Sequence, residues 1–130
     1  MFIFNEFGEV KILGQYEKVE NLSELNGILL AKLKNYLNKN YLNIVNMMGI
    51  ENIPNVRIKK VKNYLGQYNK KNNSINLNLL LGHMDECLIE YVIIHELCHF
   101  LEFNHSKNFW NYVKKYKPDF KEAKKVLKEE

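Results

Sequence analysis

A chain of 130 residues is long enough for one domain with a modest core. Hydrophobic residues make up 46% and charged residues 26%, which excludes wholesale disorder and fibrous repeats. The net charge of +4 comes almost wholly from lysine, with Arg57 the sole arginine. Base readout and bidentate phosphate clamps favour arginine, so sequence-specific nucleic-acid binding is not expected.

The start, Phe2 to Leu13, holds two short apolar runs separated by Glu6-Phe7-Gly8 and reads as a hairpin. It lacks the basic n-region of a secretory signal. A helix is predicted from Asn21. Asn21 caps it, Glu24 stands in capping-box position, and Leu22, Leu25, Leu29, Leu33, Tyr36 and Leu37 keep a 3.6-residue period. The pattern runs on weakly through Tyr41, Ile44, Val45 and Met48 and stops at Gly49 and Pro54. Val56 to Val61 reads as a strand. Tyr64 to Tyr68 and Ser74 to Leu79 flank the polar turn Asn69 to Asn73, the pattern of a second hairpin.

The next segment is different in kind. Asp85 is a good N-cap and Glu86 suits the positive end of a helix. From Leu88 to Phe103, apolar side chains cover most of the helical wheel, so this helix must be packed on several sides at the centre of the domain. Asn104 is expected to end it in a left-handed conformation. Ser106 then caps a short helix carrying Phe109, Trp110 and Val113, and Pro118, at an N1-type position, opens a last one reaching Lys128. The eight lysines from Lys107 to Lys128 alternate with acids and read as a solvated face. No apolar run approaches the 18 residues of a membrane span. Cys87 and Cys98, on one helix, are about 16 Å apart at 1.5 Å per residue, too far for a disulfide, so a reduced, cytoplasmic setting is expected.

Into the apolar central helix the sequence places His95, Glu96 and His99, groups that would cost several kcal/mol if left unpaired there. They form an H-E-x-x-H motif. Residues i and i+4 share one helix face, which lets both imidazoles reach one zinc ion at about 2.0–2.1 Å. Glu96, about 100° round the wheel, suits a general base acting on zinc-bound water, whose pKa falls to about 7. His105 follows six residues after His99, at the metzincin offset for a third ligand, although Glu102 stands where metzincins have glycine. Core histidines satisfied by neighbours are the ordinary reading of any one of these residues. Three together with Glu96 favour a metal site.

Other residues carry less. Cys98 points about 100° from His99 and reads as a small buried hydrophobe. Cys87 reads the same way. His83 is expected at the surface, and Glu102 either orients a ligand imidazole or is exposed. Phe109 and Trp110 are expected to pack the short helix onto the central one and so fix His105. Tyr64, Tyr68 and Tyr112 are equal candidates for stabilising an oxyanion.

The run Tyr91-Val92-Ile93-Ile94-His95-Glu96-Leu97-Cys98-His99, followed by Asn104-His105-Ser106, Phe109-Trp110 and Pro118-Asp119, resembles the YgjP-like metal-dependent hydrolases, relatives of the SprT-like and WLM zincins. The resemblance covers the last third of the chain closely. Upstream, Tyr64-Leu65-Gly66-Gln67 and Ile75-Asn76-Leu77-Asn78 align with a family hairpin, keeping its glycine and final asparagine while its Trp and Ser are replaced. The resemblance implies an α+β, zincin-like single domain over residues 1–130. In it an N-terminal helix and a small, mostly antiparallel sheet pack on a central HExxH helix, followed by short C-terminal helices. It also implies one zinc ion held by His95, His99 and His105, with Glu96 as catalytic base.

The expected function is zinc-dependent hydrolysis of metallopeptidase type. A peptide or protein is the expected substrate and a monomer the expected state, with no membrane partner. Two alternatives stand beside it. One is metal-dependent hydrolysis of a nucleotide phosphoanhydride, for which Lys62 or Lys107 near the metal would be the cue. The other is a non-catalytic, zinc-stabilised binding module with DNA as its candidate partner, which the altered hairpin favours and the retained Glu96 disfavours.

Overall fold

The computed structural model describes residues 9–12, 15–18, 22–102 and 104–127. Strands β1 (Glu9–Ile12) and β2 (Gln15–Lys18) form an antiparallel pair in which Ile12 faces Gln15. The pairing therefore falls later than the turn expected at Glu6 to Gly8, which lies outside the described residues, as does the expected cap Asn21.

Helix α1 (Leu22–Met47) buries Leu25, Leu29, Leu33, Tyr36, Ile44 and Val45, the face predicted from the 3.6-residue period. Its end is a Schellman motif. Gly49 takes φ +70°, its N–H donates to Asn46, and Ile50 N–H donates to the Val45 carbonyl at 3.2 Å. Only glycine enters that region at no steric cost, which is why the helix stops there. The Tyr41 hydroxyl then donates to the Pro54 carbonyl at 2.7 Å, tying the helix to the strand that follows.

Strands β3 (Asn55–Lys59), β4 (Gly66–Asn69) and β5 (Ser74–Asn78) form a sheet in the order β3-β5-β4. The β4–β5 hairpin is antiparallel, as its polar turn predicted, and Asn73 takes φ 48° within that turn. The β3–β5 pairing is parallel. Two of the three strand pairings are thus antiparallel, and the parallel one arises because the chain returns to β3's neighbour by way of the edge strand β4. Every residue of the central strand β5 is buried.

A 3-10 turn (Leu79–His83) leads into α2 (Glu86–Leu101). Asp85 occupies the N-cap position without a side-chain cap bond. Ile89, Tyr91, Ile93, Ile94, Leu97 and Cys98 are fully buried, so α2 is the centre of the core, as its nearly continuous apolar wheel requires. Burial of each large aliphatic side chain contributes about 1.5–3 kcal/mol. His83 is also buried, at 5% exposure, which corrects the expectation of a surface histidine: the 3-10 turn packs against α1 and takes His83 inward.

Helix α3 (Lys107–Tyr116) is capped by Ser106, whose hydroxyl accepts the Phe109 N–H at 3.3 Å. Helix α4 (Phe120–Val126) starts after Asp119, not at Pro118, because the Lys117 carbonyl accepts the Phe120 N–H in a turn that precedes the helix. Lys117 departs from the solvated face. It is buried and its ammonium lies 2.9 Å from Glu90 and 3.5 Å from Asp119. Among the described residues, no helix is long and apolar enough to cross a membrane.

Candidate metal centre and active site

Helix α2 carries His95 and Glu96 at its buried middle and His99 one turn on, partly open. The helix stops at Leu101 because Glu102 turns extended, with φ −145° and ψ 108°, while its N–H still donates to the Cys98 carbonyl. Asn104 does not take the left-handed conformation expected of it: among the described non-glycine residues only Asn73 has a positive φ. The helix ends instead at the extended Glu102. The Ser106 cap then starts α3 at once, so His105 is held between two anchored helix ends.

This arrangement brings three imidazoles together. Candidate donor atoms of His95, His99 and His105 all lie within 4.8 Å of one another. Ring centroids are 5.2 Å apart for His95–His99, 5.4 Å for His95–His105 and 4.6 Å for His99–His105. Phe109 forms the wall behind them, stacked on His99 at 4.5 Å and edge-on to His95 and His105. Trp110 stacks over His105 at 6.0 Å and on Phe120 at 5.8 Å, which ties α4 to the same wall. Three neutral nitrogen donors suit a borderline divalent cation such as zinc, and small imidazole rotations close this triangle onto one ion.

Glu96 is buried at 7% exposure, and both its oxygens are engaged. Oε1 accepts the backbone N–H of Tyr68 in β4 at 3.1 Å, and Oε2 lies 2.9 Å from His95 Nδ1. A carboxylate on Nδ1 favours the tautomer that leaves Nε2 as an acceptor, the usual arrangement of a metal-binding histidine. The close approach of β4 depends on Gly66. A Cβ there would stand 2.8 Å from Val92 Cγ1 and 3.0 Å from Glu96 Cγ. A glycine inside a strand pattern signals such an approach, and here it was the readable trace of a contact that the sequence left unassigned.

The histidines and Glu96 lie on a cleft that opens both ways. One arm, of about 730 Å3, runs past Tyr64, Leu65, Leu80, Val92 and Trp110 and includes Lys62. The other, of about 490 Å3, runs past Gln67, Tyr68, His99 and Asn104. Of the three candidate tyrosines, Tyr64 lines both arms. Tyr68 lines the smaller one, but its hydroxyl donates to Asn73 at 3.1 Å, and Tyr112 packs against the core. Cys98 is buried as expected, and burial, with the nearby Glu96 charge, pushes its thiol up to about 12. Cys87 is exposed and free.

A search of curated proteins finds no match. Solved structures do match. The metallopeptidase zymogen jannalysin of Methanocaldococcus jannaschii superposes with a TM-score of 0.61 at 28% identity, covering 75% of this chain and 88% of that one. The metallopeptidase zymogen abylysin of Pyrococcus abyssi gives a TM-score of 0.62 at 26% identity over 72% of this chain and 90% of its own. The model of the YgjP-like metallopeptidase domain matches residues 3–130. The α+β, zincin-like fold and the metal dependence implied by the sequence agree with these relatives. The chain therefore belongs to the YgjP-like metallopeptidase-domain family and is an enzyme of metallopeptidase type.

Proposed function

We propose that the chain is a zinc-dependent peptidase in which His95, His99 and His105 hold the ion and Glu96 is the general base. The observation that carries this reading is the convergence of three imidazoles beside a buried carboxylate, midway along a cleft open in both directions. An extended peptide needs such a through-passage. When bound, zinc supplies a Lewis acid for the scissile carbonyl and lowers the pKa of water to about 7.

The chain's own groups do the rest. The β4 edge and α2 orient the peptide beside Glu96. Glu96 takes a proton from the attacking water as the new C–O bond forms and returns it to the amine nitrogen as the C–N bond breaks. The Tyr68 N–H fixes Oε1, so the carboxylate is aimed before substrate arrives. Phe109 and Trp110 hold the imidazoles and exclude water behind them. Tyr64 is the hydroxyl at hand on both sides of the scissile bond.

One observation favours the nucleotide reading: Lys62 does line the cleft, whereas Lys107 is exposed in the first turn of α3 and lines neither arm. A single lysine is a weak match for a triphosphate, which is ordinarily bound by several cations or a phosphate-cradling loop. The binding-module reading leaves Glu96 only the support of His95 and β4, and it gives no use to the cleft beside that carboxylate. The two free cysteines agree with a reducing compartment, and we place the enzyme in the cytoplasm as a monomer.

The test is a panel of peptides and nucleoside triphosphates on the zinc-loaded protein, with Glu96→Gln as control. Peptide cleavage that the variant loses while keeping its zinc supports the assignment. Equal cleavage by the variant removes Glu96 from the mechanism, and turnover of nucleotides alone replaces the peptidase reading.

A further inference from the structure

The two arms of the cleft differ in charge. The larger arm is lined by Lys62, which is exposed, and by the apolar side chains of Leu65, Leu80, Val92 and Trp110. Among the described residues, the sole carboxylate lining this arm is Glu96, and both its oxygens are already engaged by Tyr68 and His95. Among the described residues, no lysine or arginine lines the smaller arm.

The backbone on either side of Lys62 is also held in place. Asn78 is buried at 3% exposure, and its amide nitrogen donates to the Val61 carbonyl at 3.0 Å and the Tyr64 carbonyl at 2.9 Å. Those two carbonyls bracket Lys62 and Asn63. The Asn78 side-chain oxygen accepts the Leu80 N–H at 3.0 Å, and its backbone N–H donates to the Leu65 carbonyl at 2.8 Å. One buried side chain thus fixes the loop that carries the cation and the start of the turn that supplies part of the apolar lining.

We propose that Lys62, on the loop that Asn78 anchors, is a specificity-determining residue of this peptidase, selecting peptides that place a carboxylate in the larger arm. The inference rests on the peptidase reading. A cavity lined by apolar side chains and one lysine fits an aliphatic stem with an anionic tip. Two groups have that chemistry: an acidic side chain and the free C-terminus of the peptide. A basic residue in the same arm would meet like charge and is selected against.

The single tryptophan of the chain, Trp110, lines this arm and reports its occupancy by fluorescence. The experiment titrates the zinc-loaded, full-length Glu96→Gln protein with hexapeptides. Glu is scanned against Gln at each position, and every peptide is made both as the free acid and as the C-terminal amide. At least one anionic form should bind about tenfold tighter than its neutral isostere, as expected for a charge-assisted hydrogen bond, with the ratio falling as salt rises. Dependence on Glu identifies the side chain as the source, and dependence on the free acid identifies the C-terminus. Adding Lys62→Glu should abolish or invert the ratio. A Trp110 response that ignores charge, or a ratio unchanged in Lys62→Glu, overturns the proposal alone. No response to any peptide by the folded, zinc-loaded protein overturns the peptidase reading and the proposal with it.

Discussion

Replacing Gly66 by Ala tests whether the aim of Glu96 depends on the sheet. The added methyl would stand 2.8 Å from Val92 Cγ1, 3.0 Å from Glu96 Cγ and 3.3 Å from Glu96 Oε2, where ordinary contact begins at 3.4 Å. Val92 is buried on α2 and cannot swing aside, so β4 must retreat by at least about 0.6 Å, the gap between 2.8 and 3.4 Å. That retreat lengthens the 3.1 Å bond from the Tyr68 N–H and pushes the carboxylate itself. Overpacking of this kind costs about 1–3 kcal/mol of stability, which a melting curve reads. A misplacement approaching 1 Å costs a catalytic group up to about a hundredfold in rate, so kcat/KM should fall by roughly one to two orders of magnitude. None of the three histidines is touched, so metal content should stay at the wild-type value. A folded Gly66→Ala protein with wild-type kcat/KM would refute the claim that β4 positions the base. Loss of metal along with activity would show that the damage runs through α2.

His105→Ala should weaken metal binding by more than the roughly 10–100-fold already typical of losing an outer-shell partner, and one metal per chain surviving dialysis would remove His105 from the ligand set. Lys117→Met should destabilise the fold by about 0.5–1.5 kcal/mol, the net worth of one hydrogen bond, since the partly exposed Glu90 can be solvated in its place. Burial alone would lower the Lys117 pKa, but the Glu90 hydrogen bond and the Glu90 and Asp119 charges outweigh it, and the net shift is upward. The pair's contribution is therefore full below the unfolded lysine value of about 10.4 and is lost as pH rises through the folded one. Urea unfolding of both proteins from pH 7 to 11 should show their difference constant at first and then shrinking, and a difference that grows would reverse the sign of the argument. A thiol reagent at neutral pH should modify Cys87 quickly and Cys98 only on unfolding, because Cys98 is buried and its thiol is pushed up to about 12. Two fast thiols in the folded protein would contradict the central placement of α2.

Much of this molecule is local in origin and so was open to inspection in the sequence. The period of Leu25, Leu29 and Leu33, the stop at Gly49, the polar turn before Ser74 and the cap at Ser106 each depend on residues within a few positions of one another. The candidate site was legible for the same reason. His95, Glu96 and His99 lie within one helical turn, and His105 follows after a short reversal, so spacing alone brings four chemically active side chains to one end of α2.

What local spacing cannot carry is which distant groups meet that end. The Tyr68 N–H reaches Glu96 across 28 positions, and Asn78 reaches Val61 across 17, only because β4 and β5 pair in one register and dock on α2. The same docking decided that Tyr64, not Tyr112, lines the cleft, and that Lys62 does so while Lys107 does not. Packing of the 3-10 turn on α1 took His83 inward, and pairing with Glu90 of α2 accompanies the burial of Lys117, both against their ordinary surface preference. The sequence by itself determined the helix, the motif and the family. Only the tertiary structure decided how the base is aimed and what charge each arm of the cleft presents, because those depend on backbone groups and side chains brought together by packing rather than by proximity along the chain.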